Sequence, residues 1–333
     1  MSNVYLKIPD DVRDLQGYVL TQVIRTSGST PQKPGSSALF NRSGLVAGTV
    51  GGGVLEGKVQ EIAMNPSVSD KSGIYVFNLD NSADKGEDAL CGGKTGILVD
   101  SELHNHADVF NALKDSFSHR IPGIILTRII SRGRQGVGIS RYWVTEKSFS
   151  EAGIRYPGLV ESTVAEMLQS SKQGDFREIM IPSPEESISD VIFLESVIPP
   201  PRLLIAGAGH IGRALAKIGQ MIGFEITVVD DRPEFANSDN IPWSDHIIAD
   251  NIGKAVADLG KGKDLYIVIV TRGHRDDADV LRACISSDAA YVGMIGSKTK
   301  VELMRREFME KNWATPEQWN RIYAPIGLDI NSK

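Results

Sequence analysis

The chain has 333 residues, with 36 Lys and Arg against 42 Asp and Glu, a formal charge of −6. That length fits roughly two domains of about 100–200 residues each. A chain 41% hydrophobic and 23% charged is globular rather than disordered, and its acidic balance argues against a non-specific nucleic-acid binder, which would carry a basic excess.

Only Cys91 and Cys284 occur, far apart and without a Cys-x-x-Cys spacing. A disulfide framework and a cysteine-rich zinc site are excluded. The N-terminus, MSNVYLKIPDD, has no apolar signal region, and the longest apolar stretches, such as Leu265–Val270, are far too short to span a membrane. A reducing cytoplasm is the simplest compartment, with no membrane and no nucleic acid as partners.

In chain order, the first 198 residues read as strand-rich with a few helices. Val19–Thr26, Ser36–Phe40, Leu45–Val50, Ile74–Leu79, Gly96–Glu102, Ile124–Ile130 and Val137–Val144 are short, β-branched and aromatic runs between Gly, Ser and Asn breakers, the signature of strands. Val54–Met64, Asp108–Phe117 and Leu159–Leu168 carry helical stripes. His104-x-His106 sits before the second of these helices, with no third metal ligand nearby, and reads as solvated. The expectation is a mixed α+β domain over residues 1–198. Pro199-Pro200-Pro201 cannot continue a helix or a central strand and reads as a stiff linker.

Residues 202–333 alternate strand and helix, from the strand Arg202–Ala206 through the helix Asp277–Ser286 to a helix start at Thr315-Pro316-Glu317. Near-continuous apolar strands in strict βα alternation predict a parallel sheet covered on both faces, a Rossmann-like α/β domain.

Gly207-x-Gly209-x-x-Gly212 follows an apolar strand directly and opens a helix, and Asp230-Asp231 ends the next strand, 23 residues after Gly207. This is the dinucleotide fingerprint in its proper context. Gly207 makes the tight turn, Gly209 lets backbone approach a pyrophosphate, and Gly212 lets helix and strand pack closely. Asp230 would favour a free ribose hydroxyl and hence NAD, whereas Arg232 could meet the 2′-phosphate of NADP. His210 either faces the ligand or is a solvated helix-start residue. His274, after one strand, and Gly296-Ser297-Lys298, after the next, lie at the carboxyl ends where open α/β sheets place ligands.

Two glycine clusters mark the first domain. Gly51-Gly52-Gly53 joins a strand to a helix and leaves N–H groups unshielded, an anion cradle in type. It lacks the Lys-Ser/Thr of a P-loop. Gly28-Ser29-Thr30 is a second small-residue loop with hydroxyl donors. Glu56, one turn into the helix, either caps free N–H groups or accepts a proton. Cys91-Gly92-Gly93-Lys94 sets a thiol beside N–H groups and a cation that would lower its pKa, making a nucleophile and soft-metal ligand. Cys284, inside an amphipathic helix, reads as a small buried hydrophobe.

Together, Thr26–Pro34, Gly48–Glu56, Cys91–Gly93, Gly207–Gly212, Asp230–Asp231, Gly273–Asp276 and Gly293–Lys298 resemble the XdhC/CoxI family, the xanthine dehydrogenase accessory factors. The resemblance implies an N-terminal XdhC/CoxI-type domain, a C-terminal Rossmann domain, and a role in maturing molybdenum hydroxylases by binding, protecting and delivering molybdenum cofactor. It implies an apo-hydroxylase as partner, with a cysteine desulfurase and a second copy of the chain as further candidates. Cys91 would be the molybdenum- or sulfur-handling thiol. Val54 stands where many relatives have a small residue or cysteine, and Gln32 where an arginine is often seen. The rival expectations are an NAD(P)-dependent oxidoreductase and a nucleotide-sensing module, both resting on the C-terminal fingerprint. Against the oxidoreductase, no Tyr-x-x-x-Lys or other hydride-site acid accompanies it.

Overall fold

A computed structural model describes residues 3–65, 72–79, 92–131, 136–152, 158–170, 172, 174–181, 190–328 and 330. The chain separates into two units, meeting at Pro199 and Pro200.

The N-terminal unit carries strands β1 (Val19–Gly28), β2 (Ser37–Asn41), β3 (Gly44–Gly48), β4 (Gly73–Asn78), β5 (Gly93–Asp100), β6 (Gly123–Ser131), β7 (Val137–Val144), β8 (Phe176–Ile181) and β9 (Asp190–Val197). Its helices are α1 (Gly53–Met64), α2 (Ala107–Ser118), α3 (Glu146–Ala152) and α4 (Gly158–Ser170). The strands form two antiparallel sheets, ordered β3-β2-β1-β5-β4 and β7-β6-β9-β8. β1 is buried on both faces because its apolar residues occupy both parities. Val19 and Val23 join Phe40, Ile97 and Val99 under Leu55, Val59 and Ala63 of α1. Ile24 meets Leu98, Ile129 and Phe193, which ties the first sheet to the second. The i, i+4, i+8 spacing of Leu55, Val59 and Ala63 makes one helical face apolar, and that face is the buried one.

β8 and β9 go beyond the sequence reading, which places no strand between Val144 and the proline linker. Phe176–Ile181 carries exposed Arg177 and Glu178, and Glu195 interrupts the apolar run of β9. Edge position accounts for the charges of β8. Glu195 is half-buried and satisfied: Tyr5 Oη donates to it at 2.6 Å and Gln22 Nε2 at 2.6 Å. A second correction concerns His106. It is not solvated but buried, in a short 3-10 turn that leads into α2, whereas His104 is exposed.

The C-terminal unit follows the expected alternation: β10 (Arg202–Ala206), α5 (His210–Met221), β11 (Glu225–Asp230), β12 (His246–Ala249), α6 (Ile252–Leu259), β13 (Leu265–Ile269), α7 (His274–Cys284), β14 (Tyr291–Met294), α8 (Lys298–Glu310), α9 (Pro316–Trp319) and β15 (Ile322–Tyr323). All six strands run parallel in the order β12-β11-β10-β13-β14-β15. The protein is therefore mixed α/β, with a Rossmann-type parallel sheet following two antiparallel ones. Period-two alternation splits β10 between faces: Leu203 and Ile205 pack with Ala216 of α5, while Leu204 and Ala206 pack with Val256, Leu281 and Phe308 of α6, α7 and α8. α7 begins at His274, one turn before the expected Asp277, because Gly273 supplies an extended N-cap. At α9 the expected start holds, with a reciprocal capping box between Thr315 and Gln318.

Candidate functional site

In the N-terminal unit the fold gathers three glycine loops. β1 and β5 pair out to Gly28 opposite Gly93. That pairing is so close that a Cβ on Gly28 would lie 2.6 Å from the Gly92 carbonyl oxygen, and one on Gly93 would lie 2.5 Å from the carbonyl oxygens of Ser27 and Ser29. Ser29 N–H donates to the Gly92 carbonyl at 3.3 Å. The next loop residue, Thr30, donates its hydroxyl to the Gln32 carbonyl, and Gln32 Oε1 accepts from Ser36, so Gln32 braces the loop from within. Pro31 then closes on the triple glycine, since a Cβ on Gly51 would approach its Cγ to 2.7 Å.

Gly52 and Gly53 differ from Gly51. Both have left-handed φ, 66° and 54°, a conformation that favours glycine, and nothing lies within 4 Å of where a Cβ would stand. They open the twelve-residue helix α1 without a side-chain cap on its N-terminus. Open backbone at the positive end of a helix can receive an anion. Lys94, opposite Ser27 at the start of β5, and Lys33 are exposed cations in the flanking segments.

Glu56 is occupied within this loop. Its Oε2 accepts from Thr49 Oγ1 at 2.6 Å and from the Val50 N–H at 3.2 Å, and Thr49 Oγ1 accepts in turn from the Gly51 N–H at 3.1 Å. Of its two expected roles, the hydrogen bonds favour the cap. Cys91 lies outside the described residues; its neighbour Gly92 is exposed and tied to Ser29.

Elsewhere in this unit lie two polar networks, one buried around Arg141 and one around the half-buried Glu195. Arg141 Nε donates to Asp100 at 3.1 Å and its Nη1 to Thr127 at 2.9 Å. Burial holds the His106 imidazole below its usual pKa, against the pull of Asp100. Burial also raises Glu195 to about 7, despite the hydrogen bonds from Tyr5 and Gln22. A cleft of about 450 Å³ opens beside His106, Asp108, Ser140 and Trp143, and none of the glycine loops lines it. Neither network announces itself in sequence: the strand that carries Glu195 looks like a broken apolar run, and the partners of Arg141 lie 14 and 41 residues away.

In the C-terminal unit the carboxyl ends of the strands bring the fingerprint together with the later loops. Gly207 has φ +116°, and a Cβ there would lie 2.5 Å from the Val270 carbonyl oxygen. A Cβ on Gly212 would lie 1.9 Å from the Gly207 carbonyl oxygen, so helix and turn touch. Around Gly209 a Cβ would meet nothing within 4 Å. The two packing glycines and the open one thus fall where the fingerprint logic puts them. His210 is exposed at the first position of α5.

Asp230 is placed differently from a free ribose ligand. It is 1% exposed. It accepts from the Ala208 N–H at 2.8 Å, the Arg232 N–H at 3.1 Å, and Arg232 Nε and Nη2 at 2.8 and 2.9 Å. Burial alone would raise its pKa, but the guanidinium and N–H groups outweigh burial and hold it below the usual value. Arg232, folded back over the Phe235 ring at 3.9 Å, is likewise engaged. Asp231 is the exposed carboxylate of the two, and it pairs with Arg272 at 3.2 Å.

Past β13, Thr271 donates to Asp277, a fully buried carboxylate that also takes the ammonium of Lys300. The Lys300 stem packs at Gly296, and Ser297 caps α8 through the Lys300 N–H at 3.2 Å. Lys298 is exposed, and His274 lies 3.7 Å from Glu307. The sequence pattern singles out Lys298. The fold brings in Lys300, because two residues further along α8 is the position that faces α7. No group of three or more His, Cys, Asp and Glu among the described residues could hold a metal ion, and none of their helices is long and apolar enough to cross a membrane.

Comparison with known proteins accords with this division. The curated protein "Uncharacterized protein YqeB" of Escherichia coli (strain K12) is 34% identical over 134 residues, 40% of this chain; the match spans about a quarter of that protein, 24%. A probable xanthine dehydrogenase subunit of Bacillus subtilis (strain 168) is 20% identical over 335 residues, covering 100% of this chain and 93% of that protein. A crystal structure described as a xanthine dehydrogenase from Bacillus halodurans shares the fold, with a TM-score of 0.70 at 22% identity over 100% of this chain and 91% of that one. The XdhC Rossmann domain model matches residues 203–333, and the XdhC and CoxI family model matches residues 12–77. With one family's two domain models in their order on either side of Pro199–Pro201, the chain belongs to the XdhC and CoxI family.

Proposed function

We propose that this protein is an accessory factor that binds molybdenum cofactor, assists its sulfuration and inserts it into a xanthine dehydrogenase-type hydroxylase. Membership of the XdhC and CoxI family and the name of the Bacillus subtilis relative support a role in xanthine dehydrogenase maturation. The observation that carries the cofactor reading is the convergence of Gly28–Thr30, Gly51–Gly53 and Gly92–Gly93, with Gly52 and Gly53 left open at the start of α1. The pterin is cargo. Its phosphate would lie on the open backbone of Gly52 and Gly53, flanked by the Ser29 hydroxyl, with Thr30 bracing the loop through its bond to the Gln32 carbonyl. Cys91, next in sequence to Gly92, would supply a soft thiolate toward molybdenum or its sulfur. The partners are an apo-hydroxylase and, as sulfur source, a cysteine desulfurase; the compartment is the cytoplasm.

The test is anaerobic incubation with free molybdenum cofactor, followed by gel filtration and molybdenum analysis of the protein peak. Molybdenum should co-elute at near one equivalent with wild type and fall sharply with Cys91→Ala. A peak without molybdenum removes the carrier role, and an unaffected C91A protein removes the thiol from it.

The open backbone at Gly209 favours a second, compatible occupant: NAD(P) or another nucleotide at the C-terminal unit. Turnover of NADH with small carbonyl substrates would turn this unit into the seat of an oxidoreductase. Binding without turnover would make it a sensor.

A further inference from the structure

β11 and β13 flank β10 on opposite sides, and the three strands run parallel. Asp231 follows the last residue of β11, and Arg272 lies three residues past the end of β13. One guanidinium nitrogen of Arg272 sits 3.2 Å from both carboxylate oxygens of Asp231. To meet, these side chains reach across the carboxyl end of β10, where Gly207–Gly209 begins. The pair thus straps the edge at which a fingerprint loop presents its N–H groups to a pyrophosphate.

The strap is weakly held. Its side chains are 55% and 48% exposed, and ion pairs so solvated contribute little. Asp230 and Arg232, one position away on either side of Asp231, are locked together by three hydrogen bonds, with a fourth to Asp230 from the Ala208 N–H, and Arg232 lies over the Phe235 ring. Of the two arginines at this edge, only Arg272 can leave its partner at little cost, and a guanidinium gains strong paired hydrogen bonds from a phosphate.

We propose that Arg272 is the phosphate clamp of the C-terminal site and Asp231 its resting partner. When a diphosphate-bridged nucleotide arrives, the guanidinium passes from the carboxylate to the diphosphate, and the released Asp231 meets the ribose hydroxyls. This assigns the ribose-facing acid to Asp231, since Asp230 is already saturated. It rests on the nucleotide reading of the C-terminal unit given above.

The test is calorimetric titration of the full-length protein with ADP and with inorganic pyrophosphate, using wild type, R272Q, D231N and the double variant. Both residues are exposed, and unchanged thermal unfolding checks that the variants fold. R272Q should weaken both ligands roughly tenfold or more, as expected for the loss of a charge-assisted contact. D231N should tighten pyrophosphate, which has no ribose to lose. That gain should vanish when D231N is made in R272Q, because it comes from freeing the arginine rather than from removing a nearby negative charge. An R272Q protein that binds both probes within twofold of wild type overturns the clamp, and so does a D231N gain undiminished in the double variant. In either case nucleotide binding by the unit stands. A wild-type protein that binds neither probe overturns the nucleotide reading and the clamp with it.

Discussion

At the residue scale, one half-buried and two buried groups make testable statements. Glu195 is raised from an ordinary value near 4.5 to about 7 by burial. The folded protein therefore binds a proton more tightly than the unfolded chain does. The stability this supplies is complete below the unfolded pKa and is lost as pH rises through 7. Chemical denaturation at pH 5 and pH 8 should show the wild type losing up to about 3 kcal/mol across that range through this group. Glu195→Gln should flatten the profile. An E195Q protein with the wild-type slope would assign it elsewhere. Asp277 is fully buried between Thr271 and Lys300. Asp277→Ala removes the partner of the half-buried Lys300 ammonium and the acceptor of the Thr271 hydroxyl, and should lower stability by about 1–3 kcal/mol, read as the shift in denaturation midpoint. Burial pushes the Cys284 thiol up to about 12. In the native protein it should resist iodoacetamide at pH 8, reacting only after denaturation; peptide mapping distinguishes it from Cys91.

At the element scale, the C-terminal half is the more legible in sequence. β10 and β13 are buried on both faces, so their apolar runs are unbroken, β11 is interrupted only by Thr227, and glycine punctuates the fingerprint turn. The first turn of α7 is hidden in the sequence because His274-Arg275-Asp276 offers no apolar residue to extend the helix's stripe. The N-terminal half hides two strands of its second sheet, since edge charges on β8 and the half-buried Glu195 of β9 disguise the period-two pattern. Of the candidate site, the glycines can be picked out, but their division of labour cannot. Gly28, Gly51 and Gly93 are fixed by neighbours that come from distant segments, whereas Gly52 and Gly53 face open space. Gly93→Ala has no left-handed φ to blame, yet its Cβ would drive between the Ser27 and Ser29 carbonyls. We expect a loss of about 1–3 kcal/mol in thermal or denaturant unfolding and weaker molybdenum retention in the gel-filtration assay. Stability and retention both at wild-type levels would mean that the β1–β5 junction relaxes freely.

At the scale of the whole molecule, each unit carries its own apolar cores. Those of the C-terminal unit draw entirely on residues from Leu203 onward. A chain beginning at Pro200 should therefore fold alone, giving one cooperative thermal transition and native-like far-ultraviolet dichroism; a molten profile would show that it depends on the preceding residues.

The order of strands in the second N-terminal sheet has a consequence for synthesis. β9, the last strand of its unit, sits between β6 and β8, and β8 pairs with nothing else in that sheet. As the polypeptide leaves the ribosome, β6 and β7 can zip together early, but β8 must wait, unzipped, until Val197 has cleared the exit tunnel. A stalled or prematurely terminated message ending before Asp190 would leave both β8 and the inner edge of β6 without their partner strand.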